Sequence, residues 1–393
     1  NNLLGKHHMN RRSFLTSSSL VIGGLSLSSF VSAAYAAETS NPKQLFNAEN
    51  PLLLNFNENS LGMSSNAKQA IIDALPHAFR YPDDARSALI SALGEEFKLS
   101  DKHITLGNGS SETIQAAVQY VANKAQKAGK AAQLIVPDPT FNYAELYAEP
   151  LGVNIVKVPV DNTLAFDLTA MQKKAQAFDG ISMVYLCNPN NPTAMLTPTA
   201  ALTNWITSAK ENVFFIIDEA YAEFVTTPEF TSAIALVAQG YKNLIVTRTF
   251  SKIYALAGLR VGYGVAVPEV ISEVDSFVSI DNTNTAGAVS ALASLKDHAF
   301  VAYSRKSIDV SRQMVVDTLN ALNIEYAPSH ANFIFHKVKG DVKTYQERMK
   351  AANIMVGREF PPALGWSRLT LGTPEEMSYF VATLKEFRTK GWI

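Results

Sequence analysis

The stretch VFFIIDEAY, residues 213–221, places five apolar residues in an unbroken run directly before an aspartate. A strand with one solvated face alternates apolar and polar residues, whereas an unbroken run is typical of a parallel strand with helices on both faces. Three other runs share this pattern: QLIVP (133–137), SMVYLCNP (182–189) and NLIVTRTFS (243–251). Helix-length stretches that begin near Thr, Ser or Pro separate them. The sequence therefore predicts an α/β fold built on a twisted, open sheet.

The composition limits the class of partner. The chain has 393 residues, 47% of them hydrophobic, so it is long enough to bury a large core. Its 34 lysines and arginines nearly balance its 35 aspartates and glutamates, which predicts a small-molecule partner and no nucleic acid. The single cysteine, Cys187, excludes an intrachain disulfide and is most simply a buried apolar residue. The histidines show no ligand spacing, so no metal is predicted.

The N-terminal residues have the pattern of a targeting signal. From Met9 the chain has paired arginines (Arg11 and Arg12), then an apolar stretch diluted by Ser and Gly, then Ala34-Tyr35-Ala36 as a cleavage site. This pattern predicts a twin-arginine export signal over residues 1–36 and a periplasmic or otherwise exported protein. A stable membrane span needs about 20 apolar residues, more than this stretch offers. The alternative is that this segment is a disordered tail or a buried first helix and not a signal, in which case the protein would be cytoplasmic.

Polar side chains follow the predicted strands. Asp218 and Tyr221 come after VFFII, the turn NPNNPT with Asn188 and Asn191 comes after MVYLC, and RTFSK ends at Lys252. The carboxyl ends of parallel strands meet at one edge of an open α/β sheet, where such folds bind ligands. These groups are therefore expected to face one crevice.

The turn GNGSSE, residues 107–112, runs directly into a helical stretch. Its free backbone N–H groups, with Gly109, Ser110 and Ser111, predict a site for an anion such as a phosphate. A phosphate cradle, a carboxylate, amides and a lysine together match the needs of pyridoxal phosphate. The lysine forms a Schiff base with its aldehyde and the aspartate keeps its ring nitrogen protonated. Nearby cations, for which Arg248 and Arg260 are candidates, favour the neutral lysine.

An ordered set of motifs carries a resemblance to a known family. The motifs are RYPD, GNGSSE, DPTFNYAELY, NPNNPT, DEAY, RTFSKIYALAGLRVGY, ANFIF and RLTLGT. In this order they resemble the fold-type I, class I/II aminotransferases, most of all the histidinol-phosphate aminotransferase branch, over about residues 50 to 375. The resemblance implies a large cofactor domain with a mostly parallel sheet at 80–290. A smaller α+β domain would comprise 45–79 and 291–393.

The resemblance also implies residue roles. Lys252, Asp218 and Tyr221 are the implied catalytic groups, with Lys252 the Schiff-base lysine and Asp218 the partner of the ring nitrogen. Tyr221 and Asn191 are the implied contacts of the cofactor's phenolic oxygen, and Phe141 is the implied contact of its ring face. The implied ligands of its phosphate are Gly109, Ser110, Ser111, Thr249, Ser251 and Arg260. Tyr81 in RYPD corresponds to a tyrosine that reaches the phosphate of a neighbouring subunit, which implies a homodimer with shared sites.

Substrate contacts are implied for Arg368, as a clamp on a carboxylate or a phosphate, for Asn57 in NENSLGMS, and for Arg358. Three positions depart from the branch. Leu61 replaces an aromatic residue and Ala194 replaces a glycine. Arg358 falls one place later than the usual arginine, which on a strand would turn it to the other face. Recognition of a substrate phosphate is therefore left open.

The predicted function is a pyridoxal-phosphate-dependent aminotransferase that moves an amino group between an amino acid, or an amino-acid-like amine, and a 2-oxo acid. Three alternatives stay open: histidinol-phosphate aminotransferase proper, a decarboxylase or lyase of the same branch, and a non-catalytic pyridoxal-phosphate-binding sensor. An exported enzyme would not meet histidinol phosphate, which weighs against the first. Such sensors usually carry an appended DNA-binding domain, and the segment before residue 50 is too short for one.

Overall fold

The computed structural model describes residues 46–393, so the predicted export signal lies outside the described residues. Eleven strands are present in that part of the chain: β1 Leu52–Leu54, β2 Ile104–Gly107, β3 Ala132–Asp138, β4 Asn154–Pro159, β5 Ile181–Cys187, β6 Val213–Asp218, β7 Leu244–Thr249, β8 Gly262–Val265, β9 Phe333–Lys337, β10 Ile354–Val356 and β11 Trp366–Thr370. Four of them, β3, β5, β6 and β7, coincide with the four apolar runs of the sequence.

The main sheet has seven strands in the order β2-β8-β7-β6-β5-β3-β4. The five neighbours from β7 to β4 run parallel, and β8 runs antiparallel to both β7 and β2. Every residue of β5 and β6 is buried, as expected for strands covered on both faces. The predicted, mostly parallel α/β sheet is therefore confirmed.

Helices connect and cover these strands. Within residues 46–393 they are α1 Ser65–Ala74, α2 Asp83–Phe97, α3 Ser110–Lys127, α4 Tyr143–Ala148, α5 Leu168–Gln176, α6 Thr199–Ser208, α7 Ile234–Ala238, α8 Pro268–Val274, α9 Thr285–Leu295, α10 His298–Ala321, α11 Val342–Ala351 and α12 Pro374–Thr389. Helix α3 buries an apolar stripe that includes Ile114, Ala117, Val118 and Val121 against the sheet. Among the helices described, none is long and apolar enough to cross a membrane.

Two small sheets lie outside the main one. Strands β1 and β10 pair in parallel, and β9 and β11 pair antiparallel. The seven-stranded sheet is drawn from residues 104–265 alone, whereas the small sheets use residues 52–54 and 333–370. The division into a large domain at 80–290 and a small domain at 45–79 and 291–393 stays a prediction.

The pairing of β8 with its two neighbours aligns three separate parts of the chain. Gly262 at the start of β8 is the register partner of Gly107 in β2 and of Thr249 in β7. The turn that follows β2, the segment that precedes β8 and the segment that follows β7 therefore meet at one edge of the sheet. A side chain at Gly262 would clash with the backbone at Ser110, so glycine permits this close approach.

Candidate active site

The predicted lysine and aspartate lie at the ends of neighbouring strands. Asp218 is the last residue of β6, its register partner on β7 is Thr247, and Lys252 follows five residues later. The Lys252 Nζ atom lies 5.7 Å from the centre of the Tyr221 ring. Because the carboxyl ends of β6 and β7 coincide, the chain brings Asp218, Tyr221 and Lys252 into one crevice, as the sequence predicted.

Asp218 is a buried carboxyl group held by two donors. It is 2% exposed. The Tyr185 hydroxyl donates to its Oδ2 at 2.7 Å, and the Ala220 N–H donates to its Oδ1 at 3.1 Å. Burial raises the pKa of Asp218 to about 6 because it penalises the charged form, and the two hydrogen bonds oppose that rise. A cationic partner at this position, such as a protonated ring nitrogen, would favour the carboxylate.

The ammonium group of Lys252 loses its proton more easily than that of an exposed lysine. Burial, followed by the positive charges of Arg368 and Arg260, lowers the pKa of Lys252 to about 8. Its Nζ donates to the carbonyl oxygen of Phe56 at 3.3 Å. A lysine in such surroundings suits nucleophilic attack on an aldehyde and the transfer of a proton.

Arg248 is not among the main causes of the lowered lysine pKa, which corrects one sequence expectation. Its guanidinium group pairs with Glu219 at 2.8 Å and with Glu223 at 3.5 Å. All three side chains are at most 11% exposed. The charge of Arg248 is therefore balanced locally, and the guanidinium group that acts most strongly on the lysine is that of Arg368.

The residues of the predicted anion cradle come together at the start of α3. Gly109 precedes the helix with φ +75°, a conformation that favours glycine, and any side chain there would clash with the guanidinium group of Arg260. Arg260 donates from Nη2 to the Ser111 hydroxyl at 3.2 Å. The N–H groups of a first helical turn and an adjacent arginine are the donors that a phosphate would need, so the phosphate role of these residues stays a prediction.

Two hydroxyl side chains complete that edge of the sheet. Thr249 and Ser251 are 4% and 7% exposed, and their hydroxyl groups are hydrogen-bonded to each other at 2.9 Å. The Thr249 hydroxyl also lies 3.4 Å from the carbonyl oxygen of Val261, next to Arg260 in the chain. All the predicted phosphate ligands of the subunit itself therefore belong to segments aligned by β8.

Arg368 lies on β11 and contacts Asn191. It donates from Nη1 to the Asn191 Oδ1 at 2.7 Å and from Nη2 to the carbonyl oxygen of Asn55 at 2.6 Å, while its buried Nε has no partner among the described residues. Burial lowers the pKa of Arg368 to about 10, and the charge of Arg358 adds to that effect. Because an arginine is only a donor, the Asn191 oxygen is fixed toward it and the Asn191 NH₂ group is directed elsewhere.

Asn57 has a different environment from the one predicted. It is 1% exposed, and its Nδ2 donates to the Tyr221 hydroxyl at 3.0 Å. Its Oδ1 accepts from the Thr370 hydroxyl at 3.1 Å. A buried carboxamide that is engaged in this way contacts the tyrosine instead of an open substrate cavity. The assignment of Asn57 as a substrate ligand is therefore corrected.

Arg358 also requires a correction. The expectation that it turns to the other face assumed a strand through residue 358, but β10 ends at Val356. The Arg358 guanidinium carbon lies 4.2 Å from the centre of the Phe360 ring, and that of Arg368 lies 4.9 Å from the same ring. The exposed Arg358 is therefore a neighbour of Arg368, and the alternation argument does not apply to it.

The two remaining predicted residues are aromatic. Phe141 is partly buried and its ring lies 4.2 Å from that of Tyr143, centre to centre. Tyr81 is 79% exposed, so its predicted contact with a second subunit stays a prediction. Ala194, which stands where the resembling family has glycine, is fully buried and adopts φ +62°. The chain thus keeps a left-handed turn there without the glycine.

Comparison with known proteins identifies the family of this chain. The sequence profile described as aminotransferase class I and II matches residues 49–384 of this chain. The chain belongs to the class I and II aminotransferases. Family membership confirms the predicted enzyme class, an amino-group transferase that acts on amino acids and 2-oxo acids, and its cofactor, pyridoxal 5'-phosphate.

Relatives of this aminotransferase extend the likeness. It is 34% identical over 333 residues to the histidinol-phosphate aminotransferase of Moorella thermoacetica, covering 84% of this chain and 83% of the relative. A solved structure from Erwinia carotovora atroseptica shares 43% identity with a TM-score of 0.85, covering 88% of this chain and 99% of that one.

A second solved structure supports the fold. Histidinol-phosphate aminotransferase from Sinorhizobium meliloti in complex with pyridoxal-5'-phosphate shares 22% identity with a TM-score of 0.78, covering 91% of this chain and 97% of that one. At this identity the likeness shows the fold alone. The predicted resemblance to the histidinol-phosphate aminotransferase branch is confirmed by these comparisons taken together.

Three contacts of this aminotransferase site were not predicted from the sequence. Tyr185, whose hydroxyl bonds Asp218, lies in the middle of β5 and resembles an ordinary core residue. The carbonyl oxygens of Asn55 and Phe56 have no sequence signal, because every residue carries one. The pairing of β5 with β6 could have pointed to Tyr185, since it lies two residues before Cys187, the register partner of Asp218.

Proposed function

We propose that this aminotransferase is exported and works as a homodimer, taking the amino group of an amino acid, or of an amine that carries an anionic group. The observation that supports the chemistry most directly is the meeting of Lys252, Asp218 and the anion cradle at the carboxyl ends of β6, β7 and β2. Each group alone has ordinary structural explanations. Together they match the three parts of one ring cofactor that need a partner: its aldehyde, its ring nitrogen and its phosphate.

The residues of this site fit pyridoxal phosphate. Gly109, Ser110 and Ser111, with Thr249, Ser251 and Arg260, would hold the phosphate. Asp218 would face the ring nitrogen, Tyr221 and Asn191 the phenolic oxygen, and Phe141 the ring face. When bound, the cofactor supplies an aldehyde that accepts the amino group and a ring that withdraws electrons from the reacting carbon.

Lys252 supplies the amine and the proton transfer. With a pKa of about 8, about a tenth of the lysine is neutral at pH 7, whereas at the ordinary value of 10.5 the neutral fraction is well under a thousandth. The Phe56 carbonyl holds the amine next to Tyr221. The lysine is thereby prepared for both roles, as nucleophile toward the aldehyde and as base toward the substrate carbon.

Arg368 is the proposed contact for the substrate anion. Its planar fork of donors suits a carboxylate or a phosphate. The neighbouring Arg358 adds a second cation beside the same Phe360 ring, an arrangement that favours a doubly charged anion. Histidinol phosphate, named for the relatives, is therefore the second candidate substrate, and the proposed export argues against it.

The proposed dimer and the proposed export signal are supported by different observations. Phe79 and Tyr81 are 74% and 79% exposed, with Leu75 at 57% nearby in the chain, and such exposed apolar side chains favour a subunit interface. Tyr81 would then contact the phosphate bound by the partner. Export is supported only by the sequence from Met9 to Ala36, with its paired arginines and small residues.

A half-reaction screen of the purified protein tests the proposal. Amino acids and histidinol phosphate are added singly to cofactor-loaded protein, and the loss of the visible absorbance is followed with the release of the 2-oxo product. Release of carbon dioxide instead of a 2-oxo product would identify a decarboxylase. Absorbance changes without turnover would identify a sensor, and no response to any amine would refute the function.

A further inference from the structure

Three consecutive residues contact three different functional side chains. The Asn55 carbonyl accepts a hydrogen bond from Arg368 at 2.6 Å, and the Phe56 carbonyl accepts one from Lys252 at 3.3 Å. The Asn57 Nδ2 then donates to the Tyr221 hydroxyl at 3.0 Å. We call residues 55–57 the active-site segment. It follows β1, so it joins the small β1–β10 sheet to the catalytic crevice.

The orientation of the Asn57 carboxamide is determined by its neighbours. The backbone N–H of Asn57 donates to the Thr370 hydroxyl oxygen at 2.9 Å, and that hydroxyl lies 3.1 Å from the Asn57 Oδ1. The Thr370 proton is therefore directed to Oδ1, and the NH₂ group faces Tyr221. Asn332 donates to the Asn57 carbonyl at 3.0 Å and fixes the backbone as well.

Tyr221 has one remaining degree of freedom, its hydroxyl proton. Its ring is 3% exposed and packs edge-on against Phe333 at 4.9 Å between ring centres. Burial raises the pKa of Tyr221 and outweighs the opposing charge of Arg368, so the group remains a hydroxyl at neutral pH. Because Asn57 can only donate at this contact, the tyrosine oxygen accepts there and its own proton is directed to another acceptor.

We infer that Asn57 is a positioning residue for transamination, which directs the Tyr221 proton at the phenolic oxygen of the cofactor through the relay Thr370, Asn57, Tyr221. The inference rests on the proposed function, because it takes Tyr221 to be a partner of that oxygen. Asn57 itself touches neither the substrate nor the cofactor in this role. The relay also ties the tyrosine to β11, two residues from the Arg368 that would bind substrate.

The test uses Asn57→Gly, because Asn57 adopts φ +56° and glycine keeps that backbone conformation while it removes the carboxamide. Cofactor-loaded wild-type, Asn57→Gly, Tyr221→Phe and double-variant proteins are titrated with pH, and the midpoint of the change in visible absorbance is measured. One hydrogen bond predicts a rise of about 0.5 to 1 pH unit for Asn57→Gly. In the Tyr221→Phe background the same substitution should leave the midpoint unchanged.

Kinetics provide the second measurement. Asn57→Gly should lower kcat about three- to tenfold and change the KM of the amino donor little, since the carboxamide does not touch substrate. Thr370→Val, which leaves the Asn57–Tyr221 contact in place but removes the group that orients it, should move the midpoint in the same direction by less. Thermal denaturation of the cofactor-free proteins identifies any loss of folding.

Three outcomes overturn the inference. The midpoint could stay unchanged in Asn57→Gly, or shift equally in both backgrounds, and either result removes the dependence on the tyrosine hydroxyl. A higher KM with an unchanged midpoint would return Asn57 to substrate binding. Failure of the proposed function is distinguishable, because the half-reaction screen of the wild-type protein would then yield no 2-oxo product, whereas the midpoint comparison needs only the bound cofactor.

Discussion

Replacing Asp218 with asparagine should stabilise the cofactor-free protein near pH 7. The pKa of about 6 in place of the ordinary 3.8 means that ionising this buried carboxyl group is unfavourable in the folded protein. At about 1.36 kcal/mol for each pH unit, the cost is about 3 kcal/mol. The carboxamide introduced by Asp218→Asn resembles the neutral acid and keeps an acceptor for the Ala220 N–H, so the variant avoids that cost.

The sign of the effect defines a pH window. A carboxyl group with a raised folded pKa binds protons more tightly in the folded state, so its contribution to stability is lost as pH rises from about 4 to about 6. The variant should match the wild type below pH 4 and exceed it by up to about 3 kcal/mol above pH 6. With an unfolding entropy of about 2.1 cal/mol/K per residue, this corresponds to about 4 °C in Tm for the described chain.

Thermal denaturation of the two cofactor-free proteins, at equal concentration and several pH values, measures this difference. Saturation with pyridoxal phosphate should reverse the order, because the wild-type carboxylate then gains a cationic partner that asparagine cannot match. A cofactor-free variant less stable than the wild type at pH 7, or a difference that does not shrink toward pH 4, would refute the reasoning.

Three other predictions concern the same chain. Lys252→Ala should abolish turnover and the visible absorbance of the bound cofactor, and transamination that survives in this variant would exclude the lysine as the nucleophile. Arg368→Ala should raise the KM of the amino donor at least tenfold with little loss of bound cofactor. Arg368→Lys is the matched control that keeps the charge. Loss of cofactor without a change in KM would show that the role of Arg368 is misassigned. Replacing Arg11 and Arg12 with lysines should retain the protein in the cytoplasm, as fractionation would detect, and unchanged export would exclude the twin-arginine signal.

The sequence was sufficient for the sheet and for the residues at its edge. Continuous apolar runs such as VFFII require cover on both faces, and parallel strands bring their carboxyl ends together, so the meeting of Asp218 and Lys252 followed from patterns along the chain. The GNGSSE turn likewise predicted the anion cradle, because the N–H groups at a helix start need no particular side chains.

The sequence was not sufficient where the outcome depends on pairing between distant residues. Arg248 and Arg260 were the cations expected near the lysine, and only the folded chain shows that Glu219 and Glu223 balance the charge of Arg248. Arg368, 116 residues after the lysine in the chain, acts on it instead. The error on Arg358 came from a strand that ends two residues earlier than assumed. Asn57 was assigned to substrate binding through the resemblance. Its partners, Tyr221 and Thr370, lie 164 and 313 residues away in the chain, so no local pattern pointed to them.

The antiparallel strand β8 has a consequence for how this chain can vary in length. Its first residue, Gly262, is in register with both Gly107 and Thr249. A single deletion or insertion in the connection between Thr249 and Gly262 would therefore move Lys252 or Arg260 relative to these paired residues. We therefore expect insertions to be tolerated in surface turns such as residues 161–165 but not between residues 249 and 262. The same limit should hold in homologues that use a different substrate.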